Sequence, residues 1–342
     1  MNLTNDSQVL VSILINNYNY ARFVGDAIDS VLGQTYKNIE VIVVDDGSTD
    51  DSRNVIESYG DRVTAIFKRN GGQASAMNAG FAASNGEIIC LLDADDLFLP
   101  ERVSEVVKLF TVNSGIDWVF TESAPIETKE LTDTDLSVVF QRVSNCSSSK
   151  ASPKKIDFRA NIKNAEMPHF APSTSNLCFS KTILEKIFPL PEIKGFSGMA
   201  ITDIYIKLLA IGLGVGCVTT QELGIYRFHD NFYKTLDPIK KRRMFAEIYT
   251  TTGYWMGNRF ADFSKMSKKL LARGFGAYLS SDYLRGKSTD ADCEAMVANY
   301  LEKAPLFTKT EVRFMIAYCL LRWQLKDLVV KFRKPNLMPL NN

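Results

Sequence analysis

The chain has 342 residues, 46% hydrophobic and 23% charged, so it can bury a core of one large α/β unit with an extension, or of two domains, and is not a disordered chain. Formal net charge is +1, but residues 1–235 hold 21 Lys and Arg against 29 Asp and Glu, whereas residues 236–342 hold 19 against 10. The acidic body argues against a nucleic-acid binder, and the split suits either a metal site in one part with an anionic partner for the other, or mutual neutralisation within the fold.

The chain starts MNLTNDSQ, with no basic region followed by an apolar stretch, which predicts no signal peptide. Val9–Ile15 reads as an apolar strand, and Phe23, Val24, Ala27, Ile28, Val31 and Leu32 then recur at helical spacing. Ile39–Val44 is uniformly apolar and β-branched, the pattern of a strand buried on both faces. Ser48 to Asp51 resembles a helix-starting box. A third strand is expected at Val63–Phe67, an Ala-rich helix after Gly72, and a fourth strand at Glu87–Leu92. Pro100 and Glu101 suit the first turn of the next helix. Strand–helix alternation of this kind predicts a parallel sheet wound with helices.

Such sheets bind ligands beyond the carboxyl ends of their strands. Polar clusters stand at three of those ends: Asn16-Asn17-Tyr18-Asn19, Asp45-Asp46-Gly47-Ser48 and Asp93-Ala94-Asp95-Asp96. Each alone is ordinary turn chemistry; together on one rim they point to a site. Asp93 and Asp95 are two apart, so on an extended strand end they point to one side. Two carboxylates there repel unless a cation joins them. Hard oxygen donors with no local His or Cys select Mg²⁺, Mn²⁺ or Ca²⁺ over zinc, in a site that can be shared with substrate phosphates.

From about Trp118 the alternation fades. Residues 141–155 read as a polar surface loop, Phe179–Phe188 and Ile201–Ile211 as helices, and Val215–Thr219 and Gly224–Phe228 as two short strands. Beyond Leu236 only helical patterns occur. The six cysteines have neither zinc-finger nor redox spacing, which suggests a reducing compartment. No apolar run is long enough to span a bilayer. The expected location is cytoplasmic, with peripheral contact at the inner face of a membrane left open.

The segments VSILINNYNY, VIVVDDGSTDDS, NGGQASAMNAG and LLDADD, in this order and spacing, resemble the donor half of the family 2 glycosyltransferases. The resemblance runs over roughly the first 230 residues and implies a GT-A fold: a Rossmann-like mixed sheet flanked by helices, here with a C-terminal helical extension. It divides the chain into a nucleotide-sugar half at 1–115, an acceptor half at 116–235 and a helical region at 236–342. It implies that Asp93 and Asp95 bind ribose and Mn²⁺ or Mg²⁺ on a nucleotide diphospho-sugar, and that Asp45 or Asp46 contacts the base, usually uracil. Asn17, Tyr18 and Asn19 would line the base pocket, and Asn70, Gly72 and Asn78 would close over the nucleotide. Asp203, in AITDIYIKLLAIG, stands where the family has its general base, and His229, in YRFHDN, where a side chain reaches the metal or diphosphate. From the residues alone, Asp203 reads as a helix-start charge, and His229 equally as a structural or surface residue.

Three positions depart from the family: Asn16 replaces Pro, Met77 replaces Arg, and Thr202 replaces Glu. The Gln-x-x-Arg-Trp pattern of processive enzymes is absent, so a single addition is expected. The resemblance thus implies inverting transfer, with a UDP-sugar as the expected donor, to a hydroxyl of a glycan or lipid-linked acceptor. A non-catalytic nucleotide-sugar or glycan binder and a sugar nucleotidyltransferase are the alternatives. In the last helix, Val312, Met315, Ile316, Cys319, Leu320 and Trp323 form an apolar stripe beside basic residues. That stripe suits either a membrane-surface helix or, as we expect, a helix docked on the catalytic body or on a second subunit of a homo-oligomer.

Overall fold

A computed structural model describes residues 9–147, 153–170, 172–193, 201–229, 237–285 and 291–333. The chain separates into two compact units, one of residues 1–162 with 166–231, the other of residues 163–165 with 232–342. The halves drawn on either side of residue 115 lie in the first unit.

That unit is built on a nine-stranded sheet: β1 Val11–Asn17, β2 Ile39–Asp45, β3 Thr64–Phe67, β4 Ile88–Asp93, β5 Leu97–Phe98, β6 Trp118–Glu127, β7 Lys154–Ile156, β8 Leu177–Ser180 and β9 Gly216–Phe228. Their order is β3-β2-β1-β4-β8-β6-β9-β5, with β7 on β9. The first four are parallel, as the alternating pattern requires. β8 runs antiparallel to β4 and makes the sheet mixed. Val11, Ile13 and Ile15 of β1 are fully buried with Val24, Ala27 and Ile28 of the helix Ala21–Leu32 on one face. On the other, Gly80 of the helix Gln73–Ala83 lies against Leu14 and Val44, where an added Cβ would come within 3.3 Å of Val44.

Several expectations for this unit need correction. Residues 141–147 belong to a helix, Leu136–Ser147, and Lys154–Ile156 is a strand, so the polar segment is not one loop; residues 148–152 lie outside the described residues. Polarity misled here because the helix buries only one side, through Val139 and Val143. Phe179 and Ser180 end β8, and the helix starts at Lys181, capped by Ser180 Oγ accepting from Ile183 N at 3.3 Å. The two short strands after Val215 are one 13-residue strand, β9. Ser48 does not start a helix: that helix is Ser52–Glu57, and Ser48 is bonded to Asp45 instead.

The second unit is helical, with Pro238–Arg259, Ser264–Arg285, Ala291–Lys303 and Leu306–Arg333. Asp237 starts the first of these by accepting from Ile239 N at 2.7 Å, with Pro238 as its first residue. No helix among the described residues is long and apolar enough to cross a membrane.

Candidate active site at the carboxyl rim of the parallel strands

The parallel register brings Asn17 opposite Asp45, and Asn16 opposite both Val44 and Asp93. Strand alternation sends Asn17 to one face and Asn16 to the other. The rim therefore has two polar groups, one on each side of β1.

On the Asn17 side, Asn17 Nδ2 donates to Asp45 Oδ1 at 2.7 Å and approaches Ser48 Oγ at 3.2 Å. Ser48 N donates to Asp45 Oδ2 at 3.1 Å. Asn19 N donates to Ser48 Oγ at 2.8 Å, and Asn19 Oδ1 accepts Thr49 N at 2.7 Å. These bonds hold Asn19 in the left-handed region, φ 58°, and leave Tyr18 47% exposed at the loop tip. Asp45 and Asn17 are buried, yet Asn17 Oδ1 has no partner among the described residues.

Asp46 has a different task. It accepts Lys68 Nζ at 2.6 Å, Gly71 N at 3.0 Å and Gly72 N at 2.7 Å. It thereby fixes the loop 68–72 ahead of the helix Gln73–Ala83. Gly72 has φ 87°, a conformation that suits glycine. A Cβ on Gly47, φ 77°, would meet Asn70 N at 2.7 Å, so the turn after β2 lies directly against Asn70.

At the end of β4, Asp93 Oδ1 accepts Gln73 Nε2 at 2.9 Å, and Gln73 Oε1 accepts Thr202 Oγ1 at 2.7 Å. Asp93 N donates to Ser175 Oγ at 3.1 Å. Arg102, fully buried, donates to Ser175 O at 2.6 Å and Thr121 Oγ1 at 2.7 Å, and so locks the turn that holds Asp93. Asp95 Oδ2 lies 2.7 Å from His229 Nε2, and His229 packs edge-on against Tyr20 with centroids 5.5 Å apart. Arg227 Nε donates to Asp95 O at 2.9 Å, and Arg227 Nη2 to Asp26 at 2.7 Å.

The local field is negative. Burial pushes the Tyr20 phenol up to about 12, helped by the charges of Asp95 and Asp93. Burial, then the neighbouring Asp95, pushes Asp96 up to about 7.

Of the residues singled out from sequence, Asn17, Asn19, Asp45, Asp93, Asp95 and His229 come together along this rim. Asp46, Asn70 and Gly72 form the adjoining loop. Asn78 is bonded elsewhere: Leu190 N donates to its Oδ1 at 2.6 Å and its Nδ2 donates to Leu190 O at 3.0 Å. Asp203 lies in the π-helical turn Ile201–Tyr205, and its side chain lies outside the described residues. Met77, where the family has Arg, is a fully buried core residue. Sequence reasoning missed Gln73, Ser175, Arg102 and Arg227. Gln73 follows the paired glycines and Arg227 sits two residues before His229, so position hinted at both; nothing local marks Ser175 or Arg102.

Among the described residues no group of three or more His, Cys, Asp or Glu converges to hold a metal by itself. The carboxylates of Asp93 and Asp95 are hard oxygen donors, and they fit a divalent cation whose remaining positions are filled by ligand oxygens.

Comparison with known proteins supports the same assignment. The family model described as glycosyl transferase family 2 matches residues 12–187. An uncharacterized glycosyltransferase of Nostoc sp. is 37% identical over 188 residues, 54% of this chain and 55% of its own. The chondroitin synthase of Pasteurella multocida is 41% identical over 115 residues, 33% of this chain and 12% of its own. The chain thus spans about half the length, or less, of the curated relatives it matches. Among solved structures, S. aureus TarS 1–349 in complex with UDP-GlcNAc superposes with a TM-score of 0.59 at 13% identity, over 95% of this chain and 93% of that one. The family match covers more than half of the residues, and the chain belongs to glycosyl transferase family 2, on a GT-A fold.

Proposed function

We propose that the protein transfers a sugar from a UDP-sugar to a hydroxyl of a glycan or lipid-linked acceptor, one residue at a time, with inversion. The observation that carries this reading is the pairing, on one strand rim, of a buried acceptor group at Asn17 and Asp45 with the carboxylates of Asp93 and Asp95. The UDP-GlcNAc named for TarS supports the choice of donor.

Asp45, and not Asp46, is the base acceptor. Asp46 Oδ1 and Oδ2 are both occupied by Lys68 and the backbone of Gly71 and Gly72. Among the described residues Asp45 Oδ2 takes only Ser48 N, at 3.1 Å, and Asn17 Oδ1 beside it has no partner. The uracil imide N–H supplies the missing donor. Asp93 and Asp95, with His229, would hold Mn²⁺ or Mg²⁺, which when bound neutralises charge growing on the diphosphate. Tyr18 and Asn19 flank the base, and Asn70 and Gly72 border the nucleotide. Asp203 takes the proton of the acceptor hydroxyl as the new bond forms, and the single displacement inverts the anomeric centre.

A panel of nucleotide sugars, screened for thermal stabilisation and turnover with Mn²⁺ and with chelator, tests the reading. Stabilisation by UDP-sugars, lost in Asp95→Ala, is expected. Asp203→Asn should still bind donor while transfer falls by about 10²–10⁴-fold. Stabilisation without turnover on any acceptor would favour a binding protein. A product of retained configuration would remove Asp203 from the base role.

A further inference from the structure

The helix Leu306–Arg333 has two apolar faces. One is packed: Val312 and Ile316 are buried with Leu271, Ala272 and Val297. The other is open. Phe307, Phe314, Tyr318, Leu321, Leu325 and Leu328 are 49–81% exposed. After Phe307 their spacing is seven, four, three, four and three residues, which keeps all six on one side of the helix.

At about 100° per residue, Arg322 and Lys326 fall between this stripe and the packed face. They and Arg273 line a cavity of about 330 Å³ whose other walls are Phe245, Cys319 and Trp323. Among the described residues no acidic side chain lines it. Among the described residues none of these three cations is joined to a carboxylate, whereas nearby Arg242 is paired with Asp327 and Lys268 with Glu311. Their neighbours are aromatic rings: Arg273 stands 4.8 Å from the Tyr249 centroid, Lys326 5.1 Å from Trp323, and Arg322 5.9 Å from Tyr318.

We propose that this helical unit docks on an anionic phospholipid surface, with the exposed stripe in the headgroup–acyl boundary and a lipid phosphate in the cavity of Arg273, Arg322 and Lys326. Charge complementarity selects this occupant. The region 236–342 carries 19 Lys and Arg against 10 Asp and Glu. A second copy packed stripe to stripe would bring Arg313, Arg322 and Lys326 beside like charges. A free phosphate would use the cavity and leave the stripe in water. An anionic bilayer satisfies both features with one surface. The proposal does not rest on the donor site and can fail or stand independently of it.

Vesicle co-sedimentation of the full chain tests it, with phosphatidylcholine alone and with added phosphatidylglycerol. We expect binding only to the anionic vesicles, weakening with salt. Arg322→Gln and Lys326→Gln should each weaken it roughly fivefold. Leu321→Ser with Leu325→Ser should abolish it, while circular dichroism and UDP binding stay at wild-type levels, since both side chains are exposed. Equal binding to neutral vesicles would overturn the headgroup assignment. Inorganic phosphate binding in the cavity without any vesicle binding would overturn the membrane in favour of a free anion. A dimer in sedimentation equilibrium that the two serine substitutions disperse, again without vesicle binding, would overturn it in favour of a second copy.

Discussion

Gln73 donates its side-chain amide to Asp93 at 2.9 Å, and with its other end accepts the hydroxyl of Thr202 at 2.7 Å. One glutamine thus connects the start of the helix Gln73–Ala83, the carboxyl end of β4 and the turn that carries Asp203. Partners of ligating carboxylates fix their orientation, and losing one costs about 10–100-fold in metal affinity or activity. Gln73→Ala is expected to weaken Mn²⁺-dependent UDP binding in that range. Thr202→Val, which keeps the shape and deletes the hydroxyl, should cost less, because Gln73 retains its bond to Asp93. Calorimetry of UDP with and without Mn²⁺ checks both, and equal affinities in wild type and Gln73→Ala would remove Gln73 from this role.

Asp45 and Asp46 are neighbours with separable effects. Asp46→Asn removes the charge that accepts Lys68, Gly71 and Gly72, and bonds to charged groups contribute about 1.5–3 kcal/mol each. It should lower the melting temperature. Asp45→Asn should narrow the preference for UDP over CDP, since cytosine has no N–H at the imide position. Thermal melts and competition binding are the measurements. A melting loss confined to Asp45→Asn, with base preference changed only by Asp46→Asn, would reverse the assignment.

Asn16 is about nine-tenths buried, and neither end of its amide has a partner among the described residues. Buried amides rarely stay unsatisfied, and the cost is about 1–3 kcal/mol. Asn16 lies opposite Asp93 in the ladder, on the face turned away from Asn17. An apolar replacement, Asn16→Val, should therefore leave the ligand-free protein as stable or more so, and weaken donor binding. Melting curves with and without UDP-sugar compare the two quantities directly. A destabilised variant with unchanged stabilisation by donor would show that Asn16 only packs.

The four parallel strands were legible because buried strands read as continuous apolar runs, and the rim because each run ends in Asn or Asp. The two-sided division of that rim was not legible. Asp45 and Asp46 are identical in sequence terms, and only the loop 68–72 folding back onto Asp46 separates them. The last helix shows the same limit. Val312 and Ile316 mark its packed face, whereas Phe314 and Leu321 belong to a separate exposed one. Helical spacing assigns residues to sides, and the neighbouring helices decide which side is covered. β6 and β9 were blurred for a further reason: they carry Glu122 and Glu222 face to face at a register shift, which breaks the apolar pattern.

At the opposite end of the strands, Glu40 makes a pH-dependent clasp. Its carboxylate accepts Ser12 Oγ of β1, and Asn85 N and Gly86 N ahead of β4. Burial alone would push its pKa up, but the bonds from Ser12, Asn85 and Gly86 outweigh burial and hold it below its ordinary value of 4.5. A folded-state value below the unfolded one means that the unfolded chain binds the proton more tightly. The stability Glu40 contributes is therefore complete above about pH 4.5 and is lost as pH falls through the lower, folded-state value. Glu40→Gln keeps the shape and one acceptor but cannot titrate. Wild type should exceed the variant by a constant margin near neutrality, and the margin should shrink on the acid side of that window. Urea unfolding of both proteins across the pH series measures it. A margin unchanged down to the acid limb, or one that grows there, would show that the clasp does not titrate, while nucleotide binding, on the far rim, should be the same in both.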